Sequence, residues 1–368
     1  MSVSVPFFDL RRRHVPIQNA LLDRLRHVVH GASYFDGPEV AALEGELVDR
    51  FDLKACVAVG SGVAAIQTAL DILDVEPEDE IIAPALISNA SAEALLGRGA
   101  HLKLVDVDPS SFHMLPEAAA SAIGPRTRAL FVPNPFGSPT PCAALDRLCR
   151  KMAIQWIDDA SEALGASSPE GPVGGRGSIG VCSFQPWRNL GALGDGGAVV
   201  CRDQAVASQM ERPNKQWRRD SIGLQEMGYS TAMQELQAAA IRIQLPSLDA
   251  WNQARRRLDE RYRRAFEKLP LTFQSHDSKH RPAPNATAVL TESRDALRNQ
   301  LRAMGIGARA GFESATHLMS PLARLGYRKG DFPNAEGIAE RCLCLPNYPE
   351  LSEEQFTRVV EGVRNFFG

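Results

Sequence analysis

Between Lys54 and Val200 the chain alternates short β-branched runs with stretches whose apolar residues recur at helical spacing. Residues 55–59 are predicted as a strand and Ser61 to Leu73 as a helix. Glu80-Ile81-Ile82-Ala83 is a strand that ends at Pro84, and Asn89 to Leu96 is again helical. The alternation continues with a strand at 101–107, a helix from Pro116 to Ile123, a strand at 129–132, a helix from Ala143 to Met152 and a strand at 154–158. Strands recurring with helices between them imply right-handed crossovers and a mainly parallel sheet covered on both faces. The predicted class is therefore α/β. After Gly228 a helical pattern runs from about Met233 to Lys268, interrupted at Pro246, and leads into a smaller C-terminal α+β domain. The expected division is a large domain over 1–245, with the N-terminal segment, and a small one over 246–368. Ser352 and Gln355 stand at capping-box spacing before the last helix.

In such sheets ligands gather at the carboxyl ends of the strands. That rule selects Gly60-Ser61-Gly62, Pro84 to Asn89, Asn134 to Gly137, and Asp158-Asp159. Ser61 and Gly62 follow a strand and open a helix, where backbone N–H groups and a hydroxyl suit a phosphate. A serine in that place is also an ordinary helix cap.

Composition narrows the partners. A chain of 368 residues with 44% hydrophobic and 23% charged residues is an ordinary soluble globular protein with room for two domains. A net charge of -3 gives no global field toward nucleic acid or an anionic membrane. The basic runs Arg11-Arg12-Arg13 and Arg255-Arg256-Arg257 are local, and the second is interleaved with Asp259 and Glu260 as on a solvated helix face. No apolar stretch approaches membrane-spanning length, and the N-terminus lacks a signal-peptide pattern. Seven scattered cysteines without CxxC spacing fit a reducing cytoplasm; Cys342 and Cys344 read as small core residues. His276 and His280 have helical metal-ligand spacing but no third ligand nearby, so no metal site is expected.

The segments Asp159-Ala160-Ser161-Glu162-Ala163-Leu164-Gly165-Ala166, Ser183 to Gly197, and Gly228-Tyr229 through Glu235-Leu236-Gln237-Ala238-Ala239 together resemble the DegT/StrS-type sugar aminotransferases. Those are fold-type I enzymes of pyridoxal phosphate (PLP). The resemblance extends from Pro6-Phe7-Phe8-Asp9-Leu10 through Gly37-Pro38-Glu39-Val40 to Leu345-Pro346-Asn347-Tyr348-Pro349-Glu350, nearly the whole chain. It implies a fold-type I architecture and a homodimer whose active sites are shared between chains. It also implies a carboxylate, Asp159, against the pyridinium nitrogen of the cofactor, and phosphate contacts from Ser61, Gly62 and Ser183. His317 matches a family histidine near the mouth of the active site and is a candidate proton shuttle.

The departures from the family are as informative. Arg188 stands where the family has its Schiff-base lysine. A guanidinium stays protonated in proteins and is a poor nucleophile toward an aldehyde. Glu162 replaces a usual glutamine, Ser88 falls near a usual stacking aromatic, and Val63 replaces a hydroxyl after Ser-Gly. Ser230 replaces an asparagine that reaches the neighbouring chain's phosphate, and Ala232 a usual arginine. Changes at so many contacts of one ligand indicate a remodelled pocket.

Three functions follow as expectations. The leading one is an enzyme without a cofactor, using Arg188, Glu162, Asp159 and His317 for acid–base chemistry on a sugar-like or other small polar metabolite. The second is an enzyme that binds PLP or pyridoxamine phosphate (PMP) non-covalently; the family includes a sugar dehydratase whose lysine is a histidine. The third is a non-catalytic partner of an active paralogue. Arg188 itself is expected to pair with Glu162 or Asp159 when no ligand is bound.

Overall fold

A computed structural model describes residues 4–97, 99–210 and 232–368. The five expected strands and two that were not singled out in the sequence form a single seven-stranded sheet: β1 (Ala55–Val59), β2 (Glu80–Pro84), β3 (His101–Val105), β4 (Thr127–Pro133), β5 (Gln155–Asp159), and the two additions β6 (Ile179–Ser183) and β7 (Gly197–Cys201). Their order is β1-β7-β6-β5-β4-β2-β3. The run from β6 to β3 is parallel, as expected, while β7 lies antiparallel between β1 and β6.

Strand residues divide strictly by the two-residue period. Ile81, Ala83, Phe131, Ile157, Val181 and Val199 face the helices Gly62–Ile72 and Asn89–Leu96. Their neighbours Ile82, Leu130, Val132 and Trp156 face the opposite way, onto a core shared with the helices Pro116–Ala122 and Ala143–Met152. Both faces are covered, which is why the strands read as continuous apolar runs.

The helix Glu235–Gln244 passes through a short turn at Leu245–Ser247 into the helix Leu248–Ala265. Beyond it lies an antiparallel sheet of β8 (Thr272–Phe273), β9 (Thr287–Leu290), β10 (Arg309–Ala310) and β11 (Cys342–Leu345), in the order β8-β9-β11-β10. Cys342 and Cys344 are buried in β11, as their spacing predicts. The closing helix Glu353–Phe367 carries the expected capping box at Ser352 and Gln355. One segment crosses the expected division: Val5 exchanges backbone hydrogen bonds with Gly305 and Gly307 and packs in the core of the second sheet.

Two segments of the family resemblance that are far apart in sequence meet in space. The buried carboxylate of Glu235 accepts hydrogen bonds from the backbone N–H groups of Gly37, Glu39 and Val40 at 2.9, 2.7 and 3.1 Å. It thereby satisfies the open end of the helix Pro38–Phe51, where a negative charge also complements the helix dipole.

A cleft at the carboxyl ends of the strands

A cleft opens where β2, β4, β5 and β6 end, at the position the sheet topology favours for ligands. Gly62, Ser183, Asp159, Glu162 and Arg188 all line it, as do Val63 and Ser88. Ser61 and His317 do not line it.

Ser61 sits one residue back from the cleft as the cap of the helix Gly62–Ile72, its hydroxyl accepting from the Ala64 N–H at 3.0 Å. Gly62 then turns the helix start directly against β6: a Cβ there would stand 2.7 Å from the Cβ of Ser183 and 2.8 Å from its Oγ. Only glycine permits that approach, so helix N-terminus and strand hydroxyl share one corner of the cleft. Ser88 caps the helix Asn89–Leu96 through the Ser91 N–H at 3.0 Å.

Asp158 and Asp159 close β5 and point to opposite faces. Asp158 is fully enclosed, with Arg176 Nη2 at 2.7 Å and Nε at 2.9 Å, Asn134 Nδ2 at 2.9 Å and the Gly174 N–H at 2.7 Å. Burial alone would raise its carboxyl, but the charge and hydrogen bonds of Arg176, with those of Asn134 and Gly174, hold it below the usual value. Asp159 faces the cleft. Its Oδ1 accepts from the Ser161 N–H at 2.9 Å. Burial pushes it up to about 6, against the pull of that hydrogen bond and of the Arg188 charge.

Arg188 pairs with Glu162, Nη1 to Oε1 at 2.8 Å. Of the two carboxylates the sequence offered it, Glu162 is the hydrogen-bonded one. The other oxygen of Glu162 accepts from the Phe136 N–H at 2.9 Å. Phe136 has a φ of 54°, a conformation bulky L-residues avoid, so Glu162 also holds a strained turn in the cleft wall. The carboxylate is the more open partner: its side chain is 31% exposed and that of Arg188 14%. Arg188 Nε is buried and has no hydrogen-bond partner among the described residues.

Several contributors carry no obvious local signal in the sequence. Arg13, part of a run that reads as a local basic patch, is buried, and its Nη1 donates to the carbonyls of Pro186 and Arg188, both at 3.2 Å. Asn189 donates to Asn252 and to the Ala283 carbonyl, and Gln244 donates to the Gly191 carbonyl. These contacts pin the loop that presents Arg188. Asp195, raised by burial, and Phe312 complete the lining. His317 is brought elsewhere: its ring is buried, Nε2 lies 3.0 Å from Glu336 Oε1, and it packs edge-on against Phe332. His317 is thus off the cleft lining, with its Nε2 engaged by Glu336. Gly228, Tyr229 and Ser230 lie outside the described residues. Ala232 forms a bridge to Val59.

The sequence profile of the DegT/DnrJ/EryC1/StrS aminotransferase family matches residues 16–364. The chain belongs to this family. It is 33% identical to a dTDP-3-amino-3,4,6-trideoxy-alpha-D-glucose transaminase of Streptomyces venezuelae, over 98% of this chain and 96% of that one. It is 31% identical to a UDP-N-acetyl-3-dehydro-alpha-D-glucosamine 3-aminotransferase of Acidithiobacillus ferrooxidans, over 99% of this chain and 98% of that one. Its fold superposes on S. venezuelae DesV, solved in complex with a ketimine intermediate, with a TM-score of 0.94, 32% identity and coverage of 99% and 98%. The fold-type I architecture and the membership in an enzyme family are thus as the sequence predicts.

Two expectations are overturned by these relatives. The first is cofactor-free acid–base chemistry as the leading function: full-length relatives at this identity include sugar transaminases. The second is the absence of a cofactor: solved neighbours of the same fold hold PMP or are in a PLP form, and the superposed relative was captured as a ketimine. The residues of the cleft fit such a group. Asp159 is a buried carboxylate hydrogen-bonded to Ser161 and raised by burial, with no salt-bridged cation among the described residues; a pyridinium would supply one. The corner of Gly62 and Ser183 offers a helix N-terminus and a hydroxyl to a phosphate. They do not fit covalent attachment, because Arg188 offers no nucleophile.

Proposed function

We propose that this chain is a sugar-nucleotide enzyme of the aminotransferase or dehydratase type that holds PLP or PMP without a covalent link. The observation that carries the reading is the buried carboxylate of Asp159, facing the cleft beside an arginine that cannot anchor an aldehyde. When bound, the cofactor supplies an electron sink for bond changes on the sugar. Asp159 holds a positive charge at the ring nitrogen. Gly62 and Ser183, with the N-terminus of the helix Gly62–Ile72, orient the phosphate. Glu162, the more open acid of the pair, is positioned to hold or move a proton at Oε1. Arg188 holds Glu162 and offers N–H donors to anionic groups of a substrate.

The sugar transaminases among the relatives support a sugar-nucleotide substrate. A second copy as partner is supported by the exposed apolar residues Val15, Leu22 and Val29, spaced seven apart, with Tyr34 after them. Trp187 and Leu193, on the loop that carries Arg188, are exposed as well.

The test is absorbance of the purified protein titrated with PLP and separately with PMP, followed by borohydride. The expected result is a saturable spectral change and no cofactor retained through denaturation. No saturable change with either form overturns the reading, and an adduct that survives denaturation overturns its non-covalent element.

A further inference from the structure

The described residues lining the cleft include three acids, Asp159, Glu162 and Asp195, and one base, Arg188. That excess of acid suits positive groups on a ligand whose phosphate is held apart from it, by the backbone N–H groups at Gly62 and by Ser183. Asp159 accounts for one of them, at a ring nitrogen. Glu162 is the acid placed to meet another. Its Oε1 takes one hydrogen bond from Arg188 and its Oε2 one from Phe136, and each carboxylate oxygen has a further lone pair. Its side chain is open to the cleft while the guanidinium beside it is largely enclosed.

From this geometry we infer that Glu162 selects the amine form of the cofactor, PMP, over PLP, by pairing its ammonium alongside the guanidinium of Arg188. The inference rests on the non-covalent site proposed above and adds a specificity-determining residue to it. In a lysine enzyme the aldehyde form gains its hold from a covalent bond; here that gain is missing, and the amine form gains a charge-assisted hydrogen bond instead. The neutral amide of a glutamine at 162 would offer the ammonium a carbonyl oxygen without the charge. Arg188 moderates the effect, because its positive charge competes for the same carboxylate.

The experiment compares PMP, PLP and pyridoxine 5′-phosphate by calorimetric titration of the full chain. Pyridoxine phosphate keeps the ring and phosphate of PMP and replaces only the ammonium by a hydroxyl. PMP should bind about fivefold to tenfold more tightly than either, the difference between a charge-assisted and a neutral hydrogen bond. Glu162→Gln should bring PMP and pyridoxine phosphate to parity. Equal affinities of the three ligands in the unmodified protein overturn this inference and leave the cofactor site standing. Binding of none overturns both. Should Glu162→Gln fail to fold, Arg188→Gln carries the test by itself: freeing Glu162 from its cation should widen the preference for PMP, and a narrowed preference overturns the assignment.

Discussion

Asp158 meets Arg176 in an interior closed on every side, whereas Glu162 meets Arg188 on the wall of a cleft. Both are acid–arginine pairs near the end of β5, and both have a contact of 2.7–2.8 Å. The first is complete: two arginine nitrogens, an asparagine amide and a backbone N–H converge on one carboxylate, and both side chains are fully buried. The second is open. One guanidinium nitrogen makes the contact, Nε has no partner among the described residues, and the carboxylate side chain is about a third exposed. A buried pair with its hydrogen bonds filled has nothing left to offer a ligand, while a half-satisfied pair on a cleft can exchange partners. Asp159 lies between them in character, buried like Asp158 but without a cation in direct contact among the described residues.

The largest test of this contrast removes the arginines one at a time. Arg176→Ala leaves Asp158 charged and enclosed, and should cost about 3–5 kcal/mol in denaturant unfolding or prevent folding altogether. Arg188→Ala removes a pair that water reaches, and should cost about 1 kcal/mol or less. Equal losses would show that the cleft pair is structural and break the distinction.

A smaller effect is expected at Asp159, and its sign is set by pH. The folded carboxyl has been raised to about 6 from an ordinary value near 3.8, so between those values the folded protein holds a proton that the unfolded chain has lost. The ionised group therefore disfavours the ligand-free fold above pH about 6, and that cost disappears as the pH falls toward 4. Asp159→Asn should stabilise the ligand-free protein by about 1–3 kcal/mol at pH 8, the gap closing as the pH is lowered through 6. A gap independent of pH would mean that the carboxylate is better partnered than its hydrogen bonds from Ser161 indicate.

The sequence made the scaffold legible because its signals are local. Period-two strands between capped helices produce a parallel sheet with little choice of topology, and the sheet in turn places Asp159, Ser183 and Gly62 at one end. The insertion of β7 antiparallel between β1 and β6 had no such signal, since strand pairing across the sheet depends on residues distant in sequence. The same limit explains His317 and Arg13. Nothing beside His317 announces that Glu336, nineteen residues on, will take its nitrogen. Nothing beside Arg13 separates it from Arg11 and Arg12, yet Arg13 is buried under the loop of Arg188 while Arg11 and Arg12 stay exposed. The missing lysine was legible at once; its consequence was not. Loss of the covalent anchor suggested loss of the cofactor, but the carboxylate and phosphate corner that would hold it are still assembled in space.

The smallest expected change in stability tests that last point most directly. Arg188→Lys keeps one positive charge beside Glu162 and the hydrophobic stem, so the ion pair survives in simpler form and the change should lie within about 0.5 kcal/mol. Chemically it replaces a group that cannot attack an aldehyde with one that can. If Asp159, Gly62 and Ser183 hold the ring and phosphate as proposed, the new amine should meet the aldehyde of added PLP. The variant should then retain cofactor through borohydride and denaturation, mapped by mass to position 188, whereas the unmodified protein retains none. Capture would place the difference between this chain and its transaminase relatives at the anchor, with the rest of the pocket competent. No capture, in a variant that folds and melts like the unmodified protein, would mean that Glu162, Ser88 and Val63 have reshaped the cleft beyond what one lysine restores.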